Sequence, residues 1–393
     1  MIKIVPYYEH KNRDQIINLY LNMIAYVMPF YPEDVFPERK FRWKETWKDS
    51  GQFARVTGKR CRNRKKNYLS ILRKYGIMER GNEDEEKRAE NDALLAKRII
   101  QKNSKKLYQF LYEGIEEECV HVNSGNLYEL LTIPMNKLRM DHYNLDFKIT
   151  DPDKELLSHV FRYDVFASKK EEISKLLELL GVEVCPYCNR IFITTLGKKE
   201  NSLRTQIDHY KSKSKYPHLA LSIMNMIPAC GQCNYIKSDR DIPVLYPYVE
   251  EMGDSWVFET QPQGSIMYLT GNQTEKDKFI IVGKRQNEQE KGYMKRLQNS
   301  LEVFKLEDLY NSHKEYVLDL YRQRYFFGED YLQSLCDSFP ELFHDLADVK
   351  NMLYLSDIRK ENWGKRPLSK LTHDIDEEIL RLGKRMLSPE KNL

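Results

Sequence analysis

The sequence predicts an α+β protein in which a small central module containing β-strands lies between two mainly helical regions. Three observations carry this. Apolar residues recur at helical spacing before residue 180 and after residue 284, short β-prone runs punctuated by Gly, Pro and Asn fill 181–283, and two Cys-x-x-Cys pairs sit in that middle stretch. A chain of 393 residues exceeds what one hydrophobic core usually supports, so 1–180, 181–283 and 284–393 are read as separate regions. With 41% hydrophobic and 31% charged residues, the composition excludes a disordered chain.

The elements follow in order. Leu107, Phe110, Leu111 and Ile115 fall on one helical face, as do Ile173, Leu176, Leu177 and Leu180, after which Gly181 is the expected terminator. The β-prone runs are Ile191 to Leu196, Trp256 to Thr260 and Phe279 to Gly283. Helical spacing returns through Leu301 to Leu309 and Tyr316 to Tyr325, and near the end Asp374 and Glu377 have the spacing of a capping box. The longest apolar run, Met23 to Tyr31, contains Pro29 and falls far short of the roughly 20 residues a bilayer-spanning helix needs. Pro6, Glu9 and His10 interrupt any secretory signal. The expectation is a cytoplasmic protein without a membrane partner, in which Cys61, Cys119 and Cys336 are ordinary thiols.

The net charge of +4 is a weak argument for a nucleic-acid partner, but its distribution says more. Residues 38–74 hold fourteen Lys and Arg against three acidic residues, interleaved with Phe41, Trp43, Trp47, Phe53 and Tyr68. That mixture suits phosphates and bases, although it also suits a solvated helix face.

The chemistry concentrates between Cys185 and Lys237. Cys185 and Cys188 are separated by 41 residues from Cys230 and Cys233, and two such knuckles can wrap one tetrahedral zinc ion with four thiolates. Four protein ligands leave no open position, which makes a structural zinc the expectation. Asp208 and His209 are adjacent after β-prone Gln206 and Ile207, Asn225 follows sixteen residues after His209, and Asn234 comes directly after the fourth cysteine. A carboxylate and an amide oxygen are hard ligands for Mg2+ or Mn2+, and a neighbouring imidazole can take a proton from an attacking water. The second knuckle is expected to fix the helix carrying Asn234 against the strand carrying Asp208.

The segments CPYCNR, QIDHYKSKSKYPHLALS and NMIPACGQCNYIK together resemble the HNH endonuclease family in its four-cysteine form. The resemblance implies a zinc-braced ββα-metal module. In it Asp208 and Asn234 are ligands of the catalytic divalent ion, His209 is the general base and Asn225 orients that base. The third motif position, often His in this family, is Asn234 here. DNA is the default substrate implied, with RNA, including transfer RNA, as a variant. Lys211, Lys213, Lys215, His218 and Lys237 surround the motif as candidate nucleic-acid contacts. A weaker resemblance, carried by the same wording together with FKLEDLYNSHKEYVLDL and RPLSKLTHDI, is to HNH subunits of bacterial anti-phage systems such as Septu and some retrons. It implies an ATPase partner, and the chain itself has no Gly-x-x-x-x-Gly-Lys phosphate loop.

The competing reading is a non-catalytic zinc module that binds nucleic acid or bridges proteins, with Asp208 and His209 serving structure. Asp141, His142 and Tyr143 repeat the Asp-His-Tyr wording without knuckles or a spaced Asn pair, and are read as ordinary helix or loop. His313 lacks a second ligand at metal spacing and is read as structural or surface.

Overall fold

The computed structural model describes residues 1–27, 127–132, 134–135, 157, 161, 163–194, 205–287 and 289–387. The basic stretch at 38–74, Cys61, Cys119, the face from Leu107 to Ile115 and the Asp141-His142-Tyr143 triplet lie outside the described residues. The chain forms two compact units, one of residues 11–179 and 209–226, the other of 1–10, 180–208 and 227–393. These units cut the sequence differently from the three regions read from its texture. Among the described residues no helix is long and apolar enough to cross a membrane.

The first unit is helical. It contains α1 (Arg13–Val27), α2 (Leu127–Thr132), α3 (Tyr163–Ala167) and α4 (Lys170–Leu180). Helix α1 packs on α3, while α2 packs on two 3-10 turns, Pro217–Leu219 and Ile223–Asn225. Ile173, Leu176, Leu177 and Leu180 are buried as their spacing predicts, and Gly181 terminates α4 at φ +60°. Tyr20 of α1 is fully buried, and its hydroxyl lies 2.7 Å from the Leu221 carbonyl and 3.1 Å from that of Leu131. A phenol at that position ties two separate stretches of chain to one helix.

The second unit carries the sheets. Strands β1 (Gln206–His209) and β2 (Met226–Ala229) form one two-stranded sheet, and helix α5 (Gly231–Lys237) follows directly. Strands β3 (Trp256–Pro262) and β4 (Phe279–Arg285) pair antiparallel in a second sheet. Then come α6 (Lys291–Val303), α7 (Leu306–Asn311), α8 (Lys314–Phe326), α9 (Glu329–Ser338), α10 (Leu346–Tyr354) and α11 (Ser369–Leu387).

A two-stranded sheet leaves both edges unpaired, and here helical side chains close them. In the register of β3 and β4, Phe258 faces Gly283 and Thr260 faces Ile281. The backbone groups of these pairs point outward. On the β3 side, the Phe258 N–H donates to Asp374 (2.9 Å) and the Thr260 N–H to Glu378 (3.0 Å), both on α11. On the β4 side, the Ile281 N–H donates to Asn311 Oδ1 (2.8 Å), and the Gly283 N–H donates to Glu307 (3.0 Å), both on α7. Two residues along a strand advance about 6.8 Å and four along a helix about 6.0 Å, so a helix laid beside a strand meets alternate N–H groups with side chains one turn apart. Asp374 is therefore a mid-helix acceptor, fully inside α11 and also bound to Lys370 at 2.6 Å. The capping box read from its spacing with Glu377 is not formed, because α11 begins five residues earlier at Ser369.

Two other expectations change. Among the described residues, the run from Ile191 contributes only an isolated bridge between Val184 and Phe192, because its backbone closes the first cysteine knuckle through Cys185 N–H to Ile191 O (3.0 Å) and Ile193 N–H to Glu183 O (2.8 Å). The stretch from Leu301 to Leu309 is broken at Lys305, which takes φ +48° between α6 and α7. Phe304, just before the break, is fully buried and stacks on Tyr187 with ring centroids 4.5 Å apart.

Replacing Glu378 with Ala strips the Thr260 N–H and hydroxyl of their acceptor, and is expected to lower stability in denaturant titration by about 2–4 kcal/mol. Burial raises the Glu378 pKa above the ordinary carboxylate value, so between the two values the native state holds a proton that the unfolded chain has lost. The contribution of this group to stability is then present in acid and declines as pH rises through the raised pKa. Glu378→Gln should flatten that decline, read as the difference between the two pH–stability profiles.

Candidate metal centre and nuclease site

In the sheet-containing unit, the four cysteines meet. Cys185, Cys188, Cys230 and Cys233 are at most 6% exposed, and their sulfurs all lie within 4.8 Å of one another. A tetrahedron with Zn–S bonds of ~2.3 Å has S···S edges of ~3.8 Å, so the cluster is sized for one ion. Backbone N–H groups already point at the sulfurs: Cys230 N–H toward Cys185 Sγ and Cys233 N–H toward Cys230 Sγ, both at 3.4 Å. The latter contact is also the N-cap of α5, so the second knuckle sets where that helix begins. Burial pushes the Cys185 thiol well above its ordinary value, while the hydrogen bond with Cys185 holds the Cys230 thiol below its own. Four thiols in one dry spot cannot all ionise without a cation between them, which is the chemical signature of a thiolate metal site.

The first knuckle is anchored on every side. Asn189 turns the chain at φ +51° and is fully buried. Its Nδ2 donates to Trp363 O (2.7 Å) and its Oδ1 accepts from the Lys370 N–H (3.0 Å) at the start of α11. The Tyr310 hydroxyl donates to Cys188 O (3.0 Å), and the Ile2 N–H donates to Pro186 O (2.9 Å).

Asp208 is held by the same knuckle. The hydroxyl of Tyr187, which stands between the first two cysteines, donates to Asp208 Oδ2 at 2.6 Å. The Lys237 ammonium lies 3.1 Å from Oδ1 and 3.0 Å from Oδ2, and both side chains of the pair are at most 3% exposed. Strand alternation places Gln206 and Asp208 on one face of β1, and helical spacing places Asn234 and Lys237 on one face of α5. The two faces meet: Asn234 Nδ2 donates to Gln206 Oε1 at 2.7 Å while Lys237 pairs with Asp208. A carboxylate and an amide side chain thereby stand on facing elements, and the carboxylate already binds a cation, the Lys237 ammonium. The donor set fits a hard divalent ion.

His209, the next residue in the chain, belongs to the helical unit. Its Nε2 lies 2.9 Å from the Ala220 carbonyl, and a carbonyl only accepts, so Nε2 carries the proton and Nδ1 is the basic nitrogen of the neutral ring. Tyr163 packs its ring against the imidazole edge-on, with centroids 4.4 Å apart. Asn225 is fully buried and acts on the backbone: Oδ1 accepts from the Lys211 N–H (2.7 Å), and Nδ2 donates to Lys211 O (3.0 Å) and Leu219 O (2.9 Å). It fixes the loop whose Ala220 carbonyl orients His209, one residue beyond its own contact at Leu219.

Among the expected phosphate contacts, Lys213 and Lys215 are exposed, and Lys213 Nζ lies 4.4 Å from the centre of the Tyr163 ring. Lys211 is half-buried over Tyr216. The other two are placed differently. His218 is fully buried in its 3-10 turn, and Lys237 is 1% exposed in its ion pair, so neither presents a surface to a phosphate. His313, read from sequence as structural or surface, precedes α8 and is half-buried, with burial lowering its pKa. Sequence reasoning passed over Tyr187, Gln206 and Asn189. Tyr187 alone carried a signal, as the residue between two ligands that must fold back on whatever the knuckle braces.

Comparison with known families is decisive for one segment. Residues 185–240 match the HNH endonuclease family model. No curated protein and no solved structure matches the chain. The HNH domain runs from the first knuckle to just past α5, so it holds the four cysteines, Asp208, His209, Asn225, Asn234 and the candidate lysines.

Elemental analysis is expected to find about one tightly held metal ion per chain, zinc by its all-thiolate set, and Cys188→Ser should lose it together with part of the native circular dichroism. A variant that keeps its metal would refute the cluster. Asn225→Ala removes three hydrogen bonds to the backbone of Lys211 and Leu219 and should cost about 2–4 kcal/mol, with hydrogen exchange accelerating across 209–225.

Proposed function

We propose that the HNH domain hydrolyses phosphodiester bonds of nucleic acid, with DNA as the substrate. His209 is the general base: the Ala220 carbonyl holds the Nε2 proton, so Nδ1 takes the proton from water as the water attacks phosphorus. The observation that carries the reading is the HNH family match over 185–240, in which His209 directly follows Asp208; the hydrogen bond from Nε2 to Ala220 is the orientation such a base needs. Asn225 positions the base through the 209–225 loop. Asp208 and Asn234 are the residues that would hold Mg2+ or Mn2+, and that ion would supply charge neutralisation at the scissile phosphate and at the departing oxygen. Lys211, Lys213 and Lys215 contact the backbone phosphates. The cysteine cluster holds zinc and keeps Asp208 in place through Tyr187. Service as an antiviral effector beside an ATPase is the finer part of the proposal. It rests on sequence wording alone, and co-purification of an ATPase with the chain from its native host tests it.

Wild type should cut labelled DNA in Mg2+ or Mn2+ and stop on chelation of the divalent ion. His209→Ala should lose about 10²–10⁴-fold in rate while keeping its zinc content and fold. Equal cutting by the two proteins would remove His209 from the mechanism, and preferential cutting of RNA in the same assay would reassign the substrate.

A further inference from the structure

Lys237 stands on the last turn of α5 with its ammonium 3.0–3.1 Å from both oxygens of Asp208, inside the protein. A lysine that served substrate would place its charge toward solvent, as Lys213 and Lys215 do. This one spends its charge on the carboxylate that the proposed mechanism assigns to a divalent ion. The Tyr187 hydroxyl fixes the same carboxylate from the zinc knuckle and leaves it little freedom to turn away. A divalent ion joining Asp208 would meet a full positive charge within a few ångströms in a medium that screens poorly.

We infer that Lys237 is a built-in counter-cation of the metal site, occupying the cation's position at Asp208 in the resting protein, so that loading the divalent ion and displacing the Lys237 ammonium are one event. The inference rests on the reading of Asp208 as the divalent-ion ligand. It accounts for a buried carboxylate that stays compensated without an ion, since an uncompensated buried charge is costly. It also makes the resting centre a weak metal binder, filled only when the concentration of the ion or the field of a bound phosphate backbone favours the exchange. Lys237 is a residue that sets metal affinity, buried in its pair with Asp208 away from the surface a substrate would meet.

The test is Mn2+ binding to the zinc-loaded full chain by calorimetry and by electron paramagnetic resonance, without nucleic acid. Lys237→Gln removes the charge and keeps an N–H donor for Asp208; it should bind Mn2+ about tenfold more tightly or better. Lys237→Arg keeps the charge and should bind like wild type, and Asp208→Asn should abolish the site in either background. Unchanged or weaker binding by Lys237→Gln overturns the inference while leaving the metal site intact. Absence of Mn2+ binding in wild type and Lys237→Gln alike overturns the metal-site reading itself, and the inference with it. Should Lys237→Gln fail to fold, a crystal structure of wild type soaked in Mn2+ decides. Lys237 Nζ beyond hydrogen-bond distance of Asp208 with the ion bound supports displacement, and Nζ still near 3 Å from both oxygens rules it out.

Discussion

Gathering four thiols into one buried cluster is the constraint on which the sheet-containing unit depends. The cluster joins the Cys185–Cys188 turn to the start of α5, and several distant segments of the unit make hydrogen bonds to that turn and to Asn189 just after it. Residue 2 reaches Pro186, Tyr310 reaches Cys188, and Lys370 and Trp363 reach Asn189. Each such bond contributes only about 0.5–1.5 kcal/mol. Their importance lies in convergence, because so short a turn cannot bury enough apolar surface to hold itself. A metal ion held by the four sulfurs would supply the free energy that the short knuckles lack.

The same economy of elements appears in the second sheet. Two strands are too few to satisfy their own backbones, and α7 and α11 supply the missing acceptors through Glu307, Asn311, Asp374 and Glu378. Carboxylates brought this deep would be costly if left alone. Asp374 has Lys370, and Asp376 on the same helix has Lys350 at 2.9 Å, Arg324 at 3.4 Å and the Tyr354 hydroxyl. Helix α11 is therefore held by polar contacts along the strand, and one buried charge balances another. Such a helix is placed more specifically than one held by apolar packing alone, because each carboxylate accepts only at its own register.

The HNH domain takes its chemistry from this scaffold. Strand β1 and helix α5 face each other because the second knuckle caps α5, and the facing pairs Gln206 with Asn234 and Asp208 with Lys237 follow from the two periodicities. The basic nitrogen of His209 is set by a backbone carbonyl in a loop that Asn225 holds at both ends. Asp208 and His209 are consecutive residues, yet their surroundings are built by different parts of the chain: the first cysteine knuckle for the one, a clamped loop for the other.

By itself the sequence determined what depends on local spacing. The two Cys-x-x-Cys pairs, the helical face ending at Gly181, the strands beginning at Trp256 and Phe279, and the Asp208-His209 adjacency were all legible, because each is fixed by neighbours a few residues away. Only the tertiary structure decided what depends on distant partners. The lysine at 237 reads in sequence like the lysines at 211, 213 and 215, and burial against Asp208 is what separates it from them. Asp374 reads as a helix cap until the edge of β3 claims its carboxylate, and Asn225 reads as a partner of His209 until the backbone at Lys211 and Leu219 claims its amide. Polar side chains are promiscuous in sequence because any donor suits any acceptor. Burial removes water as the alternative partner, and only then is the pairing unique.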